Sequence, residues 1–228
     1  MDGINKFLGV LGVLVLFLGG CSYAVKPVSM PAVNTYSSYD EKIPGTWVVV
    51  IDEDMKNISR EIRTTSYVCS AHKFSINIGD AIATSVKRTM RIIFENTVDR
   101  TNIPTKEELK ALGANGSILI KLDTFEPRVR CSRFLVCVVY GISWYRSADI
   151  EFGVIVRGEN RKLLTTSVDG SAVVGGDGGV ACEGAANVLA EAISKSVKKA
   201  LERIGERLSN SPRLRQDSKY NKATSLRR

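Results

Sequence analysis

The chain has 228 residues, 44% hydrophobic and 25% charged, with 32 lysines and arginines against 24 acids and a net charge of +8. That apolar content supports a packed core and excludes disorder throughout, while the length suits one domain with tails or at most two small domains. A single histidine, His72, and five cysteines with no C-x-x-C spacing argue against a zinc site or a redox dithiol.

Residues 1–20 read as a secretory leader: a short polar start with Lys6, an apolar core over 7–18, and small residues before Cys21. The core is about a dozen residues, short of the roughly 20 that span a bilayer. The ending Leu18-Gly19-Gly20-Cys21 resembles the lipobox of bacterial lipoproteins. That resemblance implies cleavage ahead of Cys21 and acyl chains on its thiol and new amino terminus, a stable anchor where one chain alone holds marginally. Ser22 rather than Asp in the next position implies sorting to the periplasmic face of the outer membrane. An ordinary cleaved signal with a coincidental cysteine is the alternative. No cofactor is expected beyond the acyl chains.

Residues 21–45 hold Pro27, Pro31 and Pro44, half of the six prolines, and are expected to form an extended, lipid-anchored tether. Fully stretched, it would reach up to roughly 80 Å. Residues 46–52 (TWVVVID) are β-branched and aromatic and read as a buried strand. Residues 55–69 are ambiguous, with Ile58 and Ile62 at helical spacing but 64–68 strand-like. Residues 77–80 carry the signs of a helix start with a capping box. Ile78, Ile82, Val86, Met90 and Ile93 then predict an amphipathic helix to about Phe94. A short helix is expected over 105–112 and a strand over 117–125.

Residues 134–145 (FLVCVVYGISWY) form a continuous apolar run between Arg133 and Arg146. The run fits either a core strand or an exposed hairpin that docks on an envelope partner, a second copy or the membrane. Phe134, Leu135, Val136, Tyr140, Trp144 and Tyr145 are the docking candidates. Bases interleaved with aromatics can stack nucleotides, but the expected compartment argues against nucleic acid. Strands over 147–157 and 163–174, joined by a turn at 158–160, predict a hairpin. Residues 176–181 match G-x-G-x-x-A, a weak dinucleotide fingerprint with no strand after the helix that follows. A long helix is expected over 182–208, with Leu189, Ile193, Val197, Leu201, Ile204 and Leu208 inward and Lys195, Lys198, Lys199 and Arg203 outward. Residues 209–228 carry six bases and one acid and are expected to be a basic disordered tail.

These elements predict one α+β domain over 46–208. It has two layers, a mixed or antiparallel sheet of about four strands covered on one face by two long helices. Four cysteines remain after Cys21, and an even number in an oxidising compartment suggests two disulfides with three possible connectivities. Cys131 with Cys137 would staple a small loop. Cys69 with Cys182, each just ahead of a predicted helix, is the pairing favoured beside it.

Lipobox, tether, strand, helix, strand, the hairpin SADIEFGVIVRGENRKLLTTSVDGSAVV and a terminal helix together resemble the YajG-type bacterial lipoproteins over about 46–208. Residues 126–145 and the basic tail depart from that pattern. The resemblance implies no catalytic residue. The reading is a non-enzymatic, lipid-anchored envelope protein with an assembly or accessory role, bound to the membrane and to an envelope partner or itself. One alternative is a lipid-binding auxiliary lipoprotein of an ABC-type envelope transport system, which needs a cavity between sheet and helices. Another is a periplasmic hydrolase, which would rest on His72 and the Asp52-Glu53-Asp54 cluster without a G-x-S-x-G elbow.

Overall fold

A computed structural model describes residues 22–26, 33–64, 72–131, 143–177 and 183–225. Strand β2 (Ile43–Ile51) lies between β5 (Phe94–Arg100) and β6 (Ala114–Cys131) and is parallel to both. Val48, Val49, Val50 and Ile51 are all buried because both faces of this strand are covered, the usual reason for an unbroken apolar run in a parallel strand. From β6 the chain returns as β7 (Ser143–Gly158) and β8 (Lys162–Asp177), an antiparallel meander. The sheet order is β5-β2-β6-β7-β8. Along β7 the inward positions Ala148, Ile150, Phe152, Val154 and Val156 are all buried, so one face of the meander points to the core.

That face is covered by helix α4 (Glu183–Ser209), which buries Leu189, Ile193, Val197, Leu201, Ile204 and Leu208. Helix α2 (Gly79–Ile93) adds Ile82, Val86 and Met90 to the same core. The other face is covered in part by the short helix α3 (Lys106–Ala111), whose Leu109 packs on Val48 and Val50. Two glycines let α4 approach β8. A Cβ at Gly170 would strike the Ser196 carbonyl oxygen, and one at Gly176 would lie 2.5 Å from a Val188 methyl.

The α+β class stands, but the sheet has five strands rather than about four, and there is a second sheet of three. In the second, β1 (Ser22–Val25) and β3 (Ser59–Arg63) flank β4 (Lys73–Asn77). The ambiguous stretch resolves into a one-turn helix α1 (Glu53–Lys56) and β3. The capping box is absent at the start of α2, where Ile78 makes no side-chain cap, and present at α3, where Thr105 and Glu108 cap each other.

The boundaries of the tether and the tail are corrected. Residues 22–25 are a strand paired with β4, with Val25 buried. Residues 34–38 then follow α4: Asn34 N–H donates to Glu202 Oε1 at 3.3 Å and Ser38 N–H to Asn210 Oδ1 at 2.7 Å. These bonds and the buried valine hold both segments on the body. The expected disordered tail contains helix α5 (Pro212–Ser225). Leu214 and Ser218, one turn apart, are both buried. Arg161 pairs with Asp217 at 3.0 Å, and Arg215 donates to the Ser209 and Glu41 carbonyls while lying 3.9 Å over the Tyr39 ring. Among its described side chains, a buried leucine and a basic side chain with an aromatic seat dock a helix whose composition is otherwise polar.

Candidate functional site

Three of the residues singled out by sequence, Cys131, Trp144 and Tyr145, lie together at one end of the meander. Cys131 closes β6 opposite Trp144 of β7, Tyr145 lies opposite Arg130, and Trp144 lies opposite Gly176 of β8. The apolar run therefore ends inside β7, with Ser143, Trp144 and Tyr145 as its first three residues. Phe134, Leu135, Val136 and Tyr140 lie outside the described residues, as do Cys21, Cys69, Cys137 and Cys182. Neither proposed disulfide has both cysteines among the described residues.

Just inside this end sits Arg146, fully buried. It occupies the cross-strand row Val129–Arg146–Val174 on the helix-covered face. Burial penalises its charge and lowers its guanidinium to about 10. By sequence, Arg146 is the flank of an apolar run and one of the bases interleaved with aromatics, and nothing more. Its phase gave it away: it shares the parity of Ala148 through Val156, the inward positions of β7.

The small sheet contributes the only histidine. Tyr23 of β1 lies 5.4 Å from the His72 ring and 5.9 Å from Phe74. His72 Nδ1 is buried with no hydrogen bond among the described residues. Asp52 precedes α1, with Glu53 and Asp54 exposed in its first turn, where carboxylates suit the helix dipole. Among the described residues no hydrogen bond or ion pair joins them to His72, and no three His, Cys, Asp or Glu side chains group to hold a metal. Of the G-x-G-x-x-A match, Gly176 belongs to β8 and faces Val188; residues 178–181 lie outside the described residues.

A second constellation was missed by sequence. Lys199 Nζ donates to the Ser171 carbonyl at 2.8 Å, Arg203 Nη1 to the Asp169 carbonyl at 2.8 Å, and Arg207 Nη1 to the Ser167 carbonyl at 2.6 Å. Arg203 also holds the Asp169 carboxylate at 2.6 Å, and Arg207 also bonds the Thr166 hydroxyl. The hydrogen bond from Arg203 keeps the Asp169 carboxyl below its usual range. The ladder follows from commensurate spacing. Four residues of helix rise about 6 Å, and two residues of strand about 6.7 Å, so cations at 199, 203 and 207 meet alternate carbonyls of the antiparallel β8. These carbonyls lie on the open edge of the sheet, where unpaired backbone groups invite another strand. Lys199 and Arg203 are exposed, as expected, and also cap that edge.

At the opposite end, Lys106, Arg157 and Lys162 border a cleft of about 350 Å³ against Leu109 and the β7–β8 turn. No helix among the described residues is long and apolar enough to cross a membrane.

No protein-family model and no curated protein matches the chain. Solved structures similar to it include a DUF330 protein of Xanthomonas campestris, with 13% identity, a TM-score of 0.46, and coverage of 87% of this chain and 98% of the other. A neuraminyllactose-binding hemagglutinin homolog of Helicobacter pylori is similar at 10% identity and a TM-score of 0.44, covering 88% and 100%. A minor lipoprotein of Acinetobacter baumannii is similar at 8% identity and a TM-score of 0.37, covering 74% and 93%. At these values the likenesses are loose and assign no activity.

Proposed function

We propose that the chain is a lipid-anchored accessory protein of the bacterial cell envelope, non-enzymatic and held by Cys21 on the periplasmic face of the outer membrane. One observation carries this reading: Leu18-Gly19-Gly20-Cys21 stands directly ahead of Ser22, where β1 begins. Cleavage before Cys21 removes an apolar leader and leaves every described strand and helix in the mature chain. The acyl chains are the only prosthetic group in this reading. The 134–145 run serves as the docking segment for an envelope partner or a second copy, reached through the β6–β7 stem. Cys131–Cys137 and Cys69–Cys182 are the proposed disulfides.

A lipid carrier needs an apolar void between sheet and helices. Ile118, Ile120, Phe152 and Val154 of the sheet and Leu189, Val197 and Leu201 of α4 are all fully buried, and the open cavity of about 1060 Å³ between β8, α4 and α5 is bordered by Asp169, Arg203, Glu206, Arg207 and Arg213, a charged lining that does not suit an acyl chain. The accessory role is therefore favoured. Its test is photocrosslinking in intact cells from positions 135 and 140, with mass spectrometry of the adducts. The reading expects one stoichiometric envelope protein, or a second copy, at both positions and not from position 160. Equal, scattered adducts from all three positions would contradict it.

A further inference from the structure

The anchor is separated from the folded body by no free chain. Ser22 pairs with Lys73, and Lys73 with Arg63, so the three stand in one row across β1, β4 and β3. Ser22 and Arg63 are exposed and Lys73 half-exposed, on the same face of the small sheet because paired residues share a face. Cys21 lies one residue beyond this row, about 3.8 Å along the chain. Lys73 and Arg63 lie one and two strands over, roughly 5 and 10 Å from Ser22. Both cations therefore stand within about one Debye length of the point where acyl chains would enter the leaflet. Lys73 pairs with Glu61 at 2.8 Å, so the row keeps a net positive charge from Arg63.

We propose that Arg63 and Lys73 engage the anionic phosphate headgroups of the leaflet that holds Cys21, so that the small sheet lies against the membrane instead of standing off on a spacer. This rests on the lipid-anchor reading. The occupant is fixed by where the chain ends: a diacylated residue next to β1 leaves the leaflet surface as the nearest partner of that row. A free tether would give the opposite outcome, with the body sampling tens of ångströms.

The test uses the full-length, acylated protein in vesicles of phosphatidylethanolamine and phosphatidylglycerol. A photoactivatable residue replaces Ser75, exposed two positions along β4 from Lys73, or Asn160 in the β7–β8 turn. Asn160 lies beyond Gly158, roughly 25–30 Å along β7 from the level of Phe125, whose ring lies 5.8 Å from the Arg60 guanidinium of β3. The expected result is lipid adducts from position 75 and few from 160. In an Arg63→Gln, Lys73→Gln background the adducts at 75 fall by about fivefold or more, since one cation at an anionic leaflet is worth about that factor. The same pair of substitutions leaves labelling unchanged in phosphatidylcholine vesicles. An acylated, vesicle-bound protein that labels equally from 75 and 160, or ignores the charge substitutions, overturns this proposal and leaves the anchor standing. A protein whose intact mass shows no acyl chain overturns the anchor and this proposal with it.

Discussion

Gly170→Ala probes the contact that seats α4 on the sheet. A Cβ at Gly170 would collide with the Ser196 carbonyl oxygen and lie 2.8 Å from Ala200 N and 3.0 Å from Ala200 Cβ, where ordinary contact begins at 3.4 Å. All three are atoms of the helix itself, with no flexible side-chain end to swing aside. Helix α4 must then lift locally, and Val197 and Leu201 beside the contact are fully buried, so the strain spreads into the core. Overpacking of this kind costs typically 1–3 kcal/mol, and contact with helix backbone puts this site at about 2–3 kcal/mol. At about 2–4 °C per kcal/mol for a domain of this size, the melting temperature falls by roughly 4–12 °C. Gly153→Ala is the internal control. Its Cβ would meet Asp123 Oδ2 at 2.6 Å and Lys121 Cε at 2.7 Å, both ends of side chains that can rotate away. Relief of the glycine backbone penalty, about 0.5–1 kcal/mol, offsets most of that cost. Circular-dichroism melts of both variants, with urea titrations to check that the m-value is unchanged, measure the difference. A Gly170→Ala protein as stable as the parent, or one less affected than Gly153→Ala, would refute the close seating of α4 on β8.

Leu214→Ala empties a fully buried position of α5 and is expected to cost about 2–5 kcal/mol; a melting temperature matching the parent would mean that α5 is not docked. Replacing Lys199, Arg203 and Arg207 together by Met removes three exposed caps, each worth about 0–1 kcal/mol, but uncovers the β8 edge. Light scattering should show concentration-dependent self-association, and a monodisperse triple variant would contradict the capping role. Burial lowers Arg146 to about 10, well below its ordinary range, so from about pH 10 upward the unfolded chain binds more protons and stability rises with pH. Urea midpoints of the parent relative to Arg146→Met are expected to rise from about pH 9 to about pH 11; a flat difference would contradict it.

The elements legible in the sequence were those with long, clean periodicity. The α2 stripe from Ile82 to Ile93, the α4 stripe from Leu189 to Leu208 and the β7–β8 alternation each bury one face against a partner, so burial wrote the period into the residues. Strand β5 was not legible, because it begins at Phe94, the residue after α2, with only Phe94 fully buried. Strands β1 and β4 are four and five residues long, too short for periodicity to count. Helix α5 was hidden because Leu214 is the one fully buried apolar side chain among its described side chains, 212–218, and composition sums over the polar residues around it. The Lys199–Arg203–Arg207 ladder looked like a solvated helix face, since its partners are backbone carbonyls that have no residue signature. Of the candidate site, the sequence supplied Cys21 and the apolar run, whereas the placement of Ser22 beside Lys73 and Arg63 depended on the pairing of β1 with β4, more than 50 residues away in the chain.

The central claim is that Cys21 is acylated and fixes the body to the membrane. The direct measurement is the intact mass and membrane fractionation of the parent and Cys21→Ser proteins expressed with the full leader. The account predicts a parent that begins at Cys21 with diacylglyceryl and acyl mass and sediments with outer membrane. Cys21→Ser should retain its uncleaved leader or be released from the outer membrane. A parent with an unmodified amino terminus, or a Cys21→Ser protein cleaved and retained in the outer membrane as before, would contradict it.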